Sequence, residues 1–166
     1  MTLLQFDPLE SFSEVERLVG KVYFRFSHLF LDRPELRDFW WEMARQEEQH
    51  ALILLACKIV IQNYDDETFD PSISRETAER LKDHIRGFLS AGTPSIAVED
   101  AFRIALEIET SEIDVIYGKL LQLGGPKIAQ TLENLGVPAS VQRQKLKAVL
   151  RQYCADRDLL AAAEQL

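Results

Sequence analysis

Glu47 and His50 form a Glu-x-x-His pair inside the stretch Trp41–Glu42–Met43–Ala44–Arg45–Gln46–Glu47–Glu48–Gln49–His50–Ala51. On an α-helix, residues three apart share a face and sit one turn apart. A carboxylate and an imidazole placed that way can grip one metal ion from a single rigid element. In helix bundles, such pairs build carboxylate-bridged di-metal sites in the core. The remaining donors must then come from other helices.

Glu16 is the first candidate, because it shares a stripe with Phe12, Val19 and Tyr23. A buried ionised carboxylate needs a cation, a hydrogen-bond donor or water beside it. Two placements are open for it. Ser13-x-x-Glu16 fits a capping box, which would leave Glu16 in a solvated first turn. A helix starting at Asp7 would instead put it in the helix interior. Height favours the second placement: Glu16 precedes Phe30, and Glu47 follows Pro34, by nearly the same number of residues. At 1.5 Å per residue, both lie ~20 Å from the intervening turn, side by side in antiparallel helices.

Glu109-x-x-Glu112 adds two carboxylates near the stripe of Phe102, Ala105, Ile108 and Ile116, while Glu107 and Asp114 point away from it. Exposure to solvent is the plain alternative for this pair, as it is for most helical glutamates. His50 has its own alternative as a satisfied core histidine. His28 and His84 lack acidic company on an apolar face and read as surface or structural. Tyr23 is two turns along from Glu16, and serves either as core packing or as a hydrogen-bond donor beside a metal.

These residues need helices to hold them, and the sequence supplies little else. No stretch shows sustained period-two alternation. Asp7-Pro8-Leu9-Glu10 reads as a helix start, with Asp7 capping and Pro8 in the first turn. Asp32-Arg33-Pro34-Glu35 marks a turn and a second start, and that helix runs to about Tyr64. The segment from Asp65 to Ser74 is a polar connection, followed by a helix from Arg75 to Ser90 that ends before Gly92. Together these make one long crossover between two helical hairpins. Thr93-Pro94 opens a third long helix, which Gly124-Gly125-Pro126 stops. A short helix, Lys127 to Leu135, ends at Gly136, and Pro138 begins a last helix to Leu166. The expected fold is all-α: an up-down four-helix bundle with a crossover helix and a short helix before the last.

The chain has 166 residues, enough for one domain with a sizeable core. Its net charge of −8 argues against a nucleic-acid binder, which would need a basic patch to neutralise phosphates. Cys57 and Cys154 sit in apolar patterns without paired spacing, so they read as buried free thiols. The apolar run from Ala51 to Ile61 is too short to span a bilayer. Met1 to Pro8 lacks the basic region and apolar core of a signal peptide, which makes cytoplasmic residence the expectation.

Glu16 with Tyr23, the run from Ala44 to Ala51, and Ala105-Leu106-Glu107-Ile108-Glu109-x-x-Glu112 together resemble the rubrerythrin branch of the ferritin-like superfamily. Members of that family hold two irons between four helices and reduce peroxide or oxidise Fe(II). The resemblance implies Glu16, Glu47, His50, Glu109 and Glu112 as ligands, with Glu47 a bridge. It also implies iron as cofactor, a homodimer, and a separate electron-donor protein, since the four cysteines of a rubredoxin module are missing. Manganese or zinc would suit the same donors. Such families carry a second Glu-x-x-His on the last helix. Here the match around Tyr153 to Ala162 is loose and puts Asp158 at the Glu position and Ala161 at the His position. The alternative function is a non-catalytic metal-binding or scaffold bundle with a reduced site.

Overall fold

A computed structural model describes residues 6–67, 69–70, 72–92, 94–111, 115–135 and 139–166. All regular structure among them is helical: α1 (Pro8–Leu29), α2 (Pro34–Asn63), α3 (Arg75–Ser90), α4 (Val98–Glu109), α5 (Val115–Leu123), α6 (Pro126–Leu135), α7 (Ala139–Tyr153) and α8 (Arg157–Ala163). The starts obey local chemistry. Asp7 accepts the Glu10 N–H at 3.1 Å, and Pro8 sits in the first turn of α1, where no N–H is missed. Ser74 caps α3 in the same way through the Thr77 N–H. No described helix is long and apolar enough to cross a membrane.

Two long helices differ from expectation. The third is divided: α4 closes at Glu109, Thr110 and Ser111 lie outside it, and α5 is described from Val115. The cause is visible at the break, where the Thr110 hydroxyl donates to Leu106 O at 2.7 Å and the Ser111 hydroxyl to Ile108 O. Short hydroxyl side chains compete for backbone carbonyls and favour helix ends over interiors. The last helix is also two, α7 and α8. Asp156 turns its carboxylate back on the Asp158 and Leu159 N–H groups, so it begins a new helix rather than continuing the old one.

The core forms around the α1–α2 hairpin. Trp40, fully buried, meets Phe39, Tyr23, Phe26 and Phe102 with ring centroids 4.8–5.6 Å apart. These contacts tie α4 to the hairpin, and tilted or edge-on aromatic pairs of this kind favour a fixed geometry. The crossover helix α3 lies on α1, where Arg25 donates to Leu89 O at 2.8 Å near the end of α3. Buried Lys82 pairs with Glu14 at 2.5 Å and Glu79 at 3.1 Å.

Glu67, in the crossover, reaches across to α6. It is buried and accepts the Lys127 N–H at 2.7 Å, occupying an N-terminal amide that α6 itself cannot satisfy. Its carboxylate lies where a Cβ on Gly125 would be, 2.5 Å away, so only glycine leaves room for this anchor.

Cys57 and Cys154 are free and buried, as expected. Burial pushes the Cys57 thiol up to about 11, and Cys154 reaches about 11 through burial together with the charges of Glu99 and Asp156. Because the folded values exceed the ordinary 9.0, the thiols contribute stability below pH 9 that is lost as pH rises through about 11. A disulfide-exchange reagent at pH 8 is therefore expected to leave both thiols unmodified until denaturant is added. Rapid labelling of the native protein would contradict this.

Candidate metal centre

Glu16 on α1 and Glu47 on α2 meet because the two helices run antiparallel and approach closely. Gly20 permits the approach: a Cβ there would stand 3.3 Å from Glu47 Cβ and 3.4 Å from Ala44 O. Three donor atoms, one each from Glu16, Glu47 and His50, lie within 4.8 Å of one another, and all three residues are buried. His50 Nδ1 is 3.2 Å from Glu47 Oε2, so the Glu-x-x-His pair closes one turn on itself. The height relation between Glu16 and Glu47 and their shared inward face hold in the structure.

Glu109 arrives from the last turn of α4. Tyr23 donates its phenolic proton to Glu109 Oε1 at 2.6 Å, inside the core. The phenol is pushed well above its ordinary pKa, first by complete burial, then by the charges of Glu109 and Glu47, by its bond to Glu109, and by the Glu16 charge. Its proton therefore stays in place throughout the neutral range. Glu109 adds no atom to the compact group of three among the described residues; its link runs through Tyr23.

The last long segment contributes a residue that the motif comparison overlooked. Gln142 on α7 is buried and donates its amide N–H to Glu47 Oε1 in a short hydrogen bond. It shares the buried stripe of Leu146 and Leu150, at spacings of four residues. A polar amide interrupting such a stripe was the available signal. Asp158, by contrast, stands outside the group: it is exposed in the first turn of α8, where a carboxylate favours the positive helix end. The match that placed it at a ligand position assumed one continuous helix, and the new start at Asp156 removes that register. Glu112 lies outside the described residues. His84 is surface-exposed and pairs with Glu107 at 2.8 Å, and His28 is exposed on α1, both as expected.

Glu16, Tyr23, Glu47, His50, Glu109 and Gln142 are each no more than 8% exposed. Three carboxylates thus share one dry region, and among the described residues no lysine or arginine pairs with Glu47. Placing several acids together in low dielectric is unfavourable unless a cation or protons balance them. Oxygen and imidazole donors at this spacing match the preferences of iron, manganese and zinc. The residues present therefore fit a metal ion.

Replacing Tyr23 by Phe keeps the ring packing and removes one buried donor to Glu109. The expected cost is about 1–3 kcal/mol, since a buried carboxylate loses one hydrogen-bond donor. Thermal unfolding of the variant checks this, and an unchanged midpoint would mean the bond is dispensable.

Compared with protein-family models, curated proteins and solved structures, the chain matches none.

Proposed function

We propose that this chain is a ferritin-like bundle protein that binds non-haem iron in its core and either oxidises Fe(II) or reduces peroxide there. The single observation carrying the reading is the buried group of Glu16, Glu47 and His50, whose donor atoms lie within 4.8 Å of one another. Bound iron would supply one-electron redox chemistry in a site shielded from bulk water. The chain's own part is to hold donors from two antiparallel helices at one height. Tyr23 keeps a proton on its phenolic oxygen and steadies Glu109. Gln142 fixes the orientation of the Glu47 carboxylate from the opposite helix.

Outer groups of this kind commonly change metal affinity by 10–100-fold when removed. Electrons for repeated peroxide reduction would come from a separate donor protein, as no second redox centre is among the described residues. Aerobic titration of the purified chain with Fe(II) tests the reading. Binding of about one or two irons per chain, with turnover of Fe(II) or peroxide, is the expected result. Absence of both binding and turnover would overturn it.

One observation favours the second reading, a metal-binding or scaffold bundle without turnover. Glu47 Oε1 already accepts the Gln142 amide, and α7 offers an amide there rather than a carboxylate that could hold a second ion. A neutral amide compensates less charge than a carboxylate, which weakens a second cation more than the first. Stoichiometric binding of one ion without Fe(II) or peroxide turnover is the outcome this reading expects.

A further inference from the structure

On the outer side of the α1–α2 hairpin, two stripes of equal spacing frame a groove. Arg17, Lys21 and Phe24 follow one another along α1, and Trp41, Arg45 and Glu48 along α2, each at a step of one helical turn. Because the helices run antiparallel, the stripes close on each other. At one end Arg17 donates to Glu48 Oε1 at 3.3 Å from two of its guanidinium nitrogens. At the other end the rings of Phe24 and Trp41 meet with centroids 5.5 Å apart, each ring nearly half exposed. Lys21 and Arg45 stand between these ends, one on each lip, each about one turn from the ion pair. Gly20 and Ala44 complete the lining. The bareness of Gly20 has a cause, since a Cβ there would stand 3.3 Å from Glu47 Cβ.

The groove holds about 300 Å³. At the density of liquid water that is room for about ten non-hydrogen atoms. Its charges do not balance. Glu48 is the single acid among the lining residues, and Arg17 already holds it. Lys21 and Arg45 make no hydrogen bond or ion pair among the described residues, on a chain whose net charge is −8. A mostly apolar hollow with a few convergent polar groups is the usual form of a small-ligand site.

We propose that this groove binds a small organic carboxylate whose body is a flat aromatic or short aliphatic group. The body lies over Gly20 and Ala44 against Trp41 and Phe24, and the carboxylate accepts from Lys21 and Arg45 on opposite helices. The lining selects this class by its chemistry. A neutral apolar molecule would leave both cations unused, and an organic cation would meet two like charges. Inorganic phosphate would leave the aromatic pair in water. The Arg17–Glu48 pair closes one end of the groove and neutralises the acid that would otherwise repel the ligand. The inference does not depend on metal binding and holds for either reading of the centre.

Titration of the full chain with 3-phenylpropionate tests it, followed by calorimetry and by fluorescence. Of the two tryptophans, Trp40 is fully buried and Trp41 is 48% exposed, so Trp41 reports on the groove. Saturable binding with a dissociation constant of ~0.1–1 mM is expected for a ligand of this size. The neutral 3-phenylpropanol and the cationic 3-phenylpropylamine should bind at least about 10-fold more weakly, and added salt should weaken the acid. Lys21→Gln and Arg45→Gln should each weaken the acid about 5–10-fold with unchanged helical circular dichroism. Ala44→Leu, which fills the groove, should abolish the fluorescence change. No saturation up to about 10 mM acid would overturn the proposal. So would equal binding of the alcohol, or an affinity that neither Lys21→Gln nor Arg45→Gln alters. Binding to phosphatidylglycerol vesicles without binding of the free acid would also overturn it, by assigning the face to a lipid surface.

Discussion

On the proposed iron-binding reading, a chain carrying both Glu47→Ala and His50→Ala is expected to bind no Fe(II), and to show none of the thermal stabilisation by metal expected of the wild type. Both ligand arms of one helix turn are removed, leaving Glu16 and Glu109 on separate helices. Binding to the folded state alone stabilises it by about 2.7 kcal/mol when free metal is 100 times its dissociation constant. For a chain of this length, that moves the midpoint by about 5–11 °C. The wild type should show the shift, and the double variant should not. Without metal, two opposed effects act in the variant. Gln142 loses its acceptor, which costs about 1–3 kcal/mol, while crowding of carboxylates is relieved. Its metal-free midpoint should therefore lie close to the wild type's. A variant that keeps both binding and the shift would place the metal elsewhere.

The largest expected effect on folding comes from Gly124→Ala. A Cβ at this position would stand 2.5 Å from Leu120 O and 2.7 Å from Ile128 Cγ2. The first neighbour is backbone and the second belongs to a fully buried side chain, so neither can move aside cheaply. Overpacking of this kind costs about 1–3 kcal/mol or more. The midpoint should fall by roughly 2–12 °C on the same length scaling. Gly118→Ala provides the contrast: it sits within α5 with nothing within 4 Å of the added atom. Removing glycine from a helix interior stabilises by up to about 1 kcal/mol. Differential scanning calorimetry of the two variants should therefore show shifts of opposite sign. Equal shifts would mean that the space around Gly124 is looser than the structure shows.

How much of this could be read beforehand depended on whether the deciding interaction was local. Asp7, Pro8, Pro34 and Ser74 announce helix starts through their own backbone and side-chain preferences, and α1, α2 and α3 begin where they direct. The common height of Glu16 and Glu47 follows from the rise of a helix and the position of one turn. The break after Glu109 was not legible, because Thr110 and Ser111 are tolerated inside helices until their hydroxyls take backbone carbonyls. Asp156 was equally ambiguous: an Asp-Arg-Asp run suits an exposed helix interior as well as a cap. Gln142 and Glu67 act through partners far along the chain, the Glu47 carboxylate and the Lys127 amide. Only packing reveals such pairings.

The bond from the Lys127 amide to Glu67 has a kinetic side. Its ends are 60 residues apart, and closing a loop of that length costs on the order of 4 kcal/mol in chain entropy. The α1–α2 hairpin closes across the short turn from Phe30 to Arg33, and contacts local in sequence form early. Glu16, Glu47 and His50 all belong to that hairpin, whereas Glu109 and Gln142 arrive only with the later elements. The three donors are therefore expected to meet before the chain has finished folding, so that a cation can be captured by a nascent hairpin and enclosed afterwards. Stopped-flow refolding with and without Co(II) would reveal this as a metal-dependent early phase.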